Sequence, residues 1–287
     1  MADASVGFIG LGNMGGPMAA NMAKAFPGLV VYDAAGTRER APTQSEPAAS
    51  TAAVATAADT VFLSLPDGPV VAKVAEQIIA ANSRRTSKVI DLSTIGIKAA
   101  QKIAARLGGA GIAFHDCPVS GGTAGAAAGT VSVMFAGPAD TYGELEPLLA
   151  SIGKPFHVGE KAGQGQAMKL LNNFLSATAM AATSEAIAFG EQQGLDMALM
   201  LDVLNVSSGQ NTATSDKFPR RIMPEKFDAG FTTALMAKDV ALYHEAAKAA
   251  GRKAEVSGAV DGIWSRFRKA DPDCDFTLIY PFLKGGK

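Results

Sequence analysis

Val6-Gly-Phe-Ile-Gly-Leu-Gly-Asn-Met-Gly-Gly-Pro-Met-Ala-Ala-Asn21 decides the fold of this chain. Val6 to Ile9 reads as a short buried strand, Gly10, Gly12 and Gly15 match G-x-G-x-x-G, and Met18, Ala19 and Met22 recur at helical spacing. A chain with 31 glycines can hold the bare pattern by accident, so the order strand, glycine turn, helix is what gives it weight. Gly10 permits the tight turn, Gly12 lets a pyrophosphate approach the backbone, and Gly15 lets helix and strand pack closely. The helix N-terminus then faces the phosphates, with Leu11, Asn13 and Met14 filling the turn. An acidic residue about 20 positions on should end the next strand. Leu29-Val-Val-Tyr-Asp33 supplies it, 18 residues after Gly15. These residues predict a dinucleotide site in which Asp33 meets the adenosine ribose. NAD is expected over NADP, since Asp33 repels a 2′-phosphate, with Arg38 and Arg40 the nearby counterweights.

Downstream, the pattern keeps alternating. Strands are read at Asp59–Pro66, Val89–Thr94, Ile112–Asp116, Thr130–Ala136 and Lys154–Val158, with helices at Pro69–Ala81, Ile97–Leu107 and Tyr142–Ser151. Ala34–Ser50 reads as loop or a poorly formed helix, and Cys117–Gly129 as loop. Strands alternating with helices predict an α/β Rossmann domain with a doubly wound, mostly parallel sheet. After Glu160 no convincing strand follows. A long helix is read from Gln164 to Gln193, then helices at Met197–Val206, Thr233–Ala250 and Val256–Lys269. The expected division is a dinucleotide-binding domain over residues 1–162 and an all-α domain over 163–287, joined by the long helix.

Composition narrows the classes. Hydrophobic residues make up 48% and charged residues 18% of 287, enough for a large core. A net charge of −1 gives no argument for nucleic acid or an anionic membrane surface. Two cysteines and three histidines form no metal-ligand spacing, so no metal is expected. No secretory leader and no membrane-length apolar run are read, and a cytoplasmic protein is expected.

Several polar segments end strands, where open α/β folds bind ligands: Leu65-Pro66, Ser93-Thr94, and Asp116-Cys-Pro-Val-Ser-Gly-Gly122. Ser120, Gly121 and Gly122 offer a hydroxyl and open backbone N–H groups, a pattern that can hold a carboxylate and that equally describes a flexible loop. Lys169, Asn172 and Asn173 stand at i, i+3 and i+4 of the long helix, on one face. A lysine with two amides amid apolar neighbours is either a solvated patch or a proton-transfer group, because burial disfavours the charged form.

Taken together, Phe8-Ile-Gly-Leu-Gly-Asn-Met-Gly15, Asp91-Leu-Ser-Thr94, Asp116-Cys-Pro-Val-Ser-Gly-Gly122, Gly163-Gln-Gly-Gln-Ala-Met-Lys169-Leu-Leu-Asn-Asn173 and Lys238-Asp239 occur in that order. The chain resembles the β-hydroxyacid dehydrogenases, a group that includes 3-hydroxyisobutyrate dehydrogenase and tartronate semialdehyde reductase, over nearly its whole length. The resemblance implies hydride transfer between a nicotinamide cofactor and a small β-hydroxy acid or its semialdehyde, in a homodimer or homotetramer. It also implies Lys169 as acid/base and Asn173 as its partner in placing the substrate, with Asn172 beside it. Ser120, Gly121 and Gly122 would bind the carboxylate. Leu65, Pro66 and Thr94 would line the cofactor, Phe231 would lie near the nicotinamide, and Lys238 would close over it. Two departures stand out: the segment after Asp33 is short, and Lys217, Arg220 and Arg221 follow a family-like Ser207-Ser-Gly209. These cations either add charge for a second anionic group or form a solvated face. The rivals are an imine or larger-aldehyde reductase on the same scaffold, and a catalytically silent dinucleotide-binding protein. Lys169 argues against the first, since the imine reductases usually carry another proton donor there. Lys169 and Asn173 together argue against the second.

Overall fold

A computed structural model describes residues 5–285. Its first half runs β1 (Val6–Ile9), α1 (Gly15–Ala25), β2 (Leu29–Tyr32), α2 (Thr37–Arg40), β3 (Ser45–Pro47), α3 (Thr51–Ala57), β4 (Thr60–Leu63), α4 (Gly68–Ile79), β5 (Lys88–Asp91), α5 (Ile97–Gly108) and β6 (Ala113–Asp116). These six strands form one parallel sheet in the order β3-β2-β1-β4-β5-β6. The order reverses beside β1, the switch point at which such sheets bind dinucleotides. Both faces are covered. Phe8, Phe62 and Ile90 lie in one core with α1, while Ile9, Val61, Leu63 and Val89 lie in another with α3, α4 and α5. Burial on both faces is why β1, β4 and β5 read as apolar runs rather than alternating ones.

The structure corrects the reading of Ala34–Ser50. It holds the short helix α2 and the edge strand β3, whose Ser45, Glu46 and Pro47 pair with Leu29, Val30 and Val31. No apolar residue marks β3, so only its neighbour makes it a strand. Helix α3 likewise lacks a sequence signal: Thr-Ala-Ala-Val-Ala-Thr-Ala carries one large apolar residue, Val54, which packs where a side chain on Gly7 would stand. Ser50 caps this helix through Ala53 N–H.

The Cys117–Gly129 segment is likewise not a loop. It contains β7 (Val119–Ser120) and α6 (Gly122–Ala128), followed by β8 (Val131–Ala136), α7 (Ala139–Ala150) and β9 (Gly153–Gly159). β7, β8 and β9 make a second sheet, in which β7 and β8 are antiparallel and β8 and β9 parallel. The expected parallel sheet is therefore accompanied by a small mixed one.

The remainder is helical: α8 (Gln164–Gln192), α9 (Met197–Asn205), a wide π-type helix over Ala213–Ile222, α10 (Thr233–Ala249), α11 (Glu255–Ala270), a 3₁₀ turn over Phe276–Leu278, and α12 (Ile279–Lys284). At 29 residues α8 spans about 43 Å. Packing divides the chain into two compact units, one ending at Lys169 and the other beginning at Leu170, so the break falls inside α8. The helical unit has its own core around the fully buried Trp264, whose indole N–H donates to Ala177 O at 3.2 Å. Among the described residues, no helix is long and apolar enough to cross a membrane.

Candidate active site

The glycine turn has the shape the motif requires. Gly10 adopts φ +98°, and a Cβ there would stand 2.2 Å from Ser64 O; one on Gly15 would stand 1.9 Å from Gly10 O. Around Gly12 the space is open, and a Cβ there would meet no atom within 4 Å. No side chain caps α1; Gly16 N–H is bonded to Gly12 O at 2.9 Å and Pro17 has no N–H, so the helix end meets an anion with its dipole and with the backbone of the turn before it. These residues fit a dinucleotide.

Asp33 directly follows β2 and is held on both oxygens. Oδ2 accepts Leu11 N–H at 2.6 Å, and Oδ1 accepts Ala35 N–H at 2.8 Å. The carboxylate thereby fastens the glycine turn to the end of β2, and each oxygen keeps a lone pair for a ribose hydroxyl. Arg40 brings Nη1 to 3.5 Å from Oδ1. The short segment after Asp33 thus places one guanidinium beside the carboxylate.

At the ends of β4, β5 and β6 the polar groups interlock. Ser93 Oγ accepts Leu65 N–H at 2.9 Å, joining the loops that carry Leu65-Pro66 and Thr94. Asp116 accepts Gly163 N–H at 2.7 Å and Gln166 N–H at 2.8 Å, so the end of β6 caps α8. Gly165 must be small at this join, since a Cβ would lie 2.6 Å from Asp116 O and 2.7 Å from Met134 O. Gln166 accepts Ile95 N–H at 2.9 Å and Gly96 N–H at 3.0 Å, and donates to Ser93 O at 2.8 Å. One turn further along α8 stands Lys169, 8% exposed. Burial pushes the Cys117 thiol well above its ordinary range, which makes it an inert neighbour rather than a nucleophile.

Ser120 closes β7, and Gly121 and Gly122 lead into α6. Asn21 of α1 donates to Ala126 O at 2.9 Å, which ties α6 to the helix of the glycine turn.

In the helical unit, Asn173 Nδ2 donates to Asp239 Oδ2 at 2.6 Å, and Asn172 Nδ2 donates to Asn173 Oδ1 at 3.1 Å. Lys238 Nζ lies 3.4 Å from Asp239 Oδ1, so the amide pair and the lysine share the buried Asp239. Phe231 meets Phe276 edge to face at 6.2 Å. Lys217 and Arg220 both pair with Asp216, and Arg221 pairs with Asp228 at 2.8 Å. Two carboxylates thus meet three cations, and this partial local compensation favours the solvated face over a second anion site.

Sequence reasoning placed Ser93 at a strand end but passed over Gln166 and the capping role of Asp116. The run Gly163-Gln-Gly-Gln166 hinted at these two, because two glycines at a helix start signal a close approach.

Residues 5–171 match the NAD binding domain of 6-phosphogluconate dehydrogenase. Residues 163–283 match the NAD-binding domain of NADP-dependent 3-hydroxyisobutyrate dehydrogenase. A 3-hydroxyisobutyrate dehydrogenase of Pseudomonas aeruginosa is 34% identical over 297 aligned positions, covering 98% of both chains. An NAD-dependent L-serine dehydrogenase of the same organism is 36% identical, covering 96% of both. Among solved structures, the 3-hydroxyisobutyrate dehydrogenase of Mycobacterium tuberculosis with L-serine superposes at a TM-score of 0.90, with 32% identity, over 98% of this chain and 99% of that one.

Proposed function

The chain belongs to the β-hydroxyacid dehydrogenase family, and from that premise we propose that it interconverts a small β-hydroxy acid and its semialdehyde, with NAD(H) preferred. The observation that carries the reading is Lys169, buried one turn into a helix whose start is hydrogen-bonded to the carboxyl ends of β5 and β6. That end of the sheet is where such folds bind their ligands.

The glycine turn Gly10–Gly15 and Asp33 hold the dinucleotide, with Leu65, Pro66 and Thr94 along its nicotinamide half. The nicotinamide, when bound, would supply hydride acceptance from the substrate's hydroxyl carbon in oxidation and hydride donation in reduction. Lys169 Nζ accepts the hydroxyl proton as the carbonyl forms, and gives it back in the reverse direction. Asn173, oriented by Asp239, keeps the reacting oxygen in register with Lys169. Backbone N–H groups from Ser120 to Gly122 hold the carboxylate, which fixes the carbon presented for transfer. Orientation of this kind contributes on the order of 7–11 kcal/mol. 3-Hydroxyisobutyrate and L-serine, named with the relatives, share a primary alcohol β to a carboxylate, and we take that element as the substrate class. Asp33 supports the NAD preference. A homodimer or homotetramer is supported by the exposed stripe of Leu199 and Val203 on α9 and Val206 just past its end, the last 87% exposed; light scattering tests it.

The deciding experiment assays a panel of β-hydroxy acids and semialdehydes with both cofactors, following nicotinamide absorbance. Turnover of small carboxylate-bearing alcohols with NAD supports the reading. Cofactor binding without turnover of any of them would sink it.

A further inference from the structure

We propose that Gln166 is a positioning residue for Lys169, its carboxamide clamping the loop after β5 to the first turn of α8. The inference rests on the reading of Lys169 as the proton-transfer group.

Gln166 has no exposed surface, and its side chain makes three hydrogen bonds: Oε1 accepts from Ile95 and Gly96, and Nε2 donates to Ser93 O. Its partners fix its orientation. Two N–H groups face one side and a carbonyl the other, so a flipped amide would set donors against donors. Its own N–H is bonded to Asp116. The helix start is therefore held by Asp116, and the side chain of Gln166 adds something else: a direct link to the segment on either side of Thr94. Through Ser93 Oγ and Leu65 N–H the link reaches the loop after β4. Lys169 follows by three residues, about 4.5 Å along the same helix. One buried amide thus sets the height of Lys169 against two loops on the nicotinamide side. Any slack there moves the proton-transfer group relative to the reacting carbon, and a misplacement of about 1 Å can cost roughly 10²-fold in rate.

The test uses the full chain with Gln166→Met, nearly the same shape without hydrogen bonds, and Gln166→Glu. A protonated Glu reproduces the amide: its carbonyl accepts from Ile95 and Gly96 and its hydroxyl donates to Ser93 O. An ionised Glu cannot donate. For Gln166→Met, amide hydrogen exchange across Ser93–Gly96 should rise while β5 stays protected. Its kcat in the reductive direction should fall about 10²-fold, with substrate KM and NADH affinity changing far less. The kcat of Gln166→Glu relative to the unaltered chain should climb as pH falls from 8 to 5, while that of Gln166→Met stays flat. A purely structural role would lower Tm in both variants without this pH-dependent rescue. Should Gln166→Met fail to fold, the Gln166→Glu profile alone decides, and a flat ratio overturns the inference. Near-normal kcat in Gln166→Met also overturns it and leaves the proposed function standing. An unaltered chain that binds NADH and turns over no hydroxy acid or semialdehyde brings both down.

Discussion

Asp91 and Asp116 stand opposite one another in the register of β5 and β6, both buried, yet only Asp116 has a backbone N–H on each oxygen. Asp91 Oδ1 accepts Ser93 N–H at 3.1 Å, while its Oδ2 has no hydrogen-bond partner among the described residues. Burial pushes the Asp91 carboxyl up to about 7, and the neighbouring Asp116 pushes the same way, against the opposing bonds from Ser93. The folded pKa lies above the ordinary 3.8, so the folded chain keeps a proton that the unfolded chain sheds. Stability from this group therefore falls as pH rises from about 4 to about 7, and stays lower above. Asp91→Asn mimics the protonated form. The Tm difference between Asp91→Asn and the unaltered chain should grow in favour of the variant from pH 5 to pH 8, and a constant difference across that range would refute the assignment.

Replacing Lys169 tests the proton transfer. Lys169→Ala should lower kcat by about 10²–10⁴-fold while NADH binding and folding persist. Lys169→Arg should fail nearly as badly, because a guanidinium does not give up its proton in this range. Near-normal kcat in Lys169→Ala would end the mechanism and leave the fold untouched. Lys238→Ala should instead raise cofactor KM more than it lowers kcat.

The proposed NAD(H) preference is tested at Asp33 and its neighbour Arg40, 3.5 Å away. kcat/KM should favour NAD(H) over NADP(H) in the unaltered chain. Asp33→Ala should narrow that preference by removing the charge that repels a 2′-phosphate, although it also releases Leu11 N–H and so weakens both cofactors. Arg40→Ala should widen the preference. A starting preference for NADP(H) would reverse the assignment.

The proposed carboxylate site is tested at Gly122. Its φ of +66° suits glycine, and the residue opens α6. Gly122→Leu should raise KM sharply for hydroxy acids while NADH affinity, measured by fluorescence, stays near normal. Matching uncharged alcohols should be poor substrates of the unaltered chain. Equal activity on them would remove the carboxylate from the recognition scheme.

What the sequence by itself determined is the part governed by local constraint. The glycine turn, Asp33, the long helix and the Lys169–Asn173 face are written in spacing, because backbone sterics and helical periodicity act over a few residues. Strand β3 was invisible, since Ser45-Glu-Pro47 becomes a strand only through its bonds to β2. Helices α3 and α6 were invisible for a related reason: runs of Ala, Gly and Thr show no apolar stripe, and packing on Gly7 and the Asn21 bond to Ala126 hold them. The same division runs through the site. The lysine was legible, but the polar frame behind it, made by Ser93, Asp116 and Gln166, was decided only by tertiary structure. A glutamine in sequence looks like any solvated helix residue. Whether it is buried, and whether its hydrogen bonds are met, depends on which chain ends the fold brings to its side.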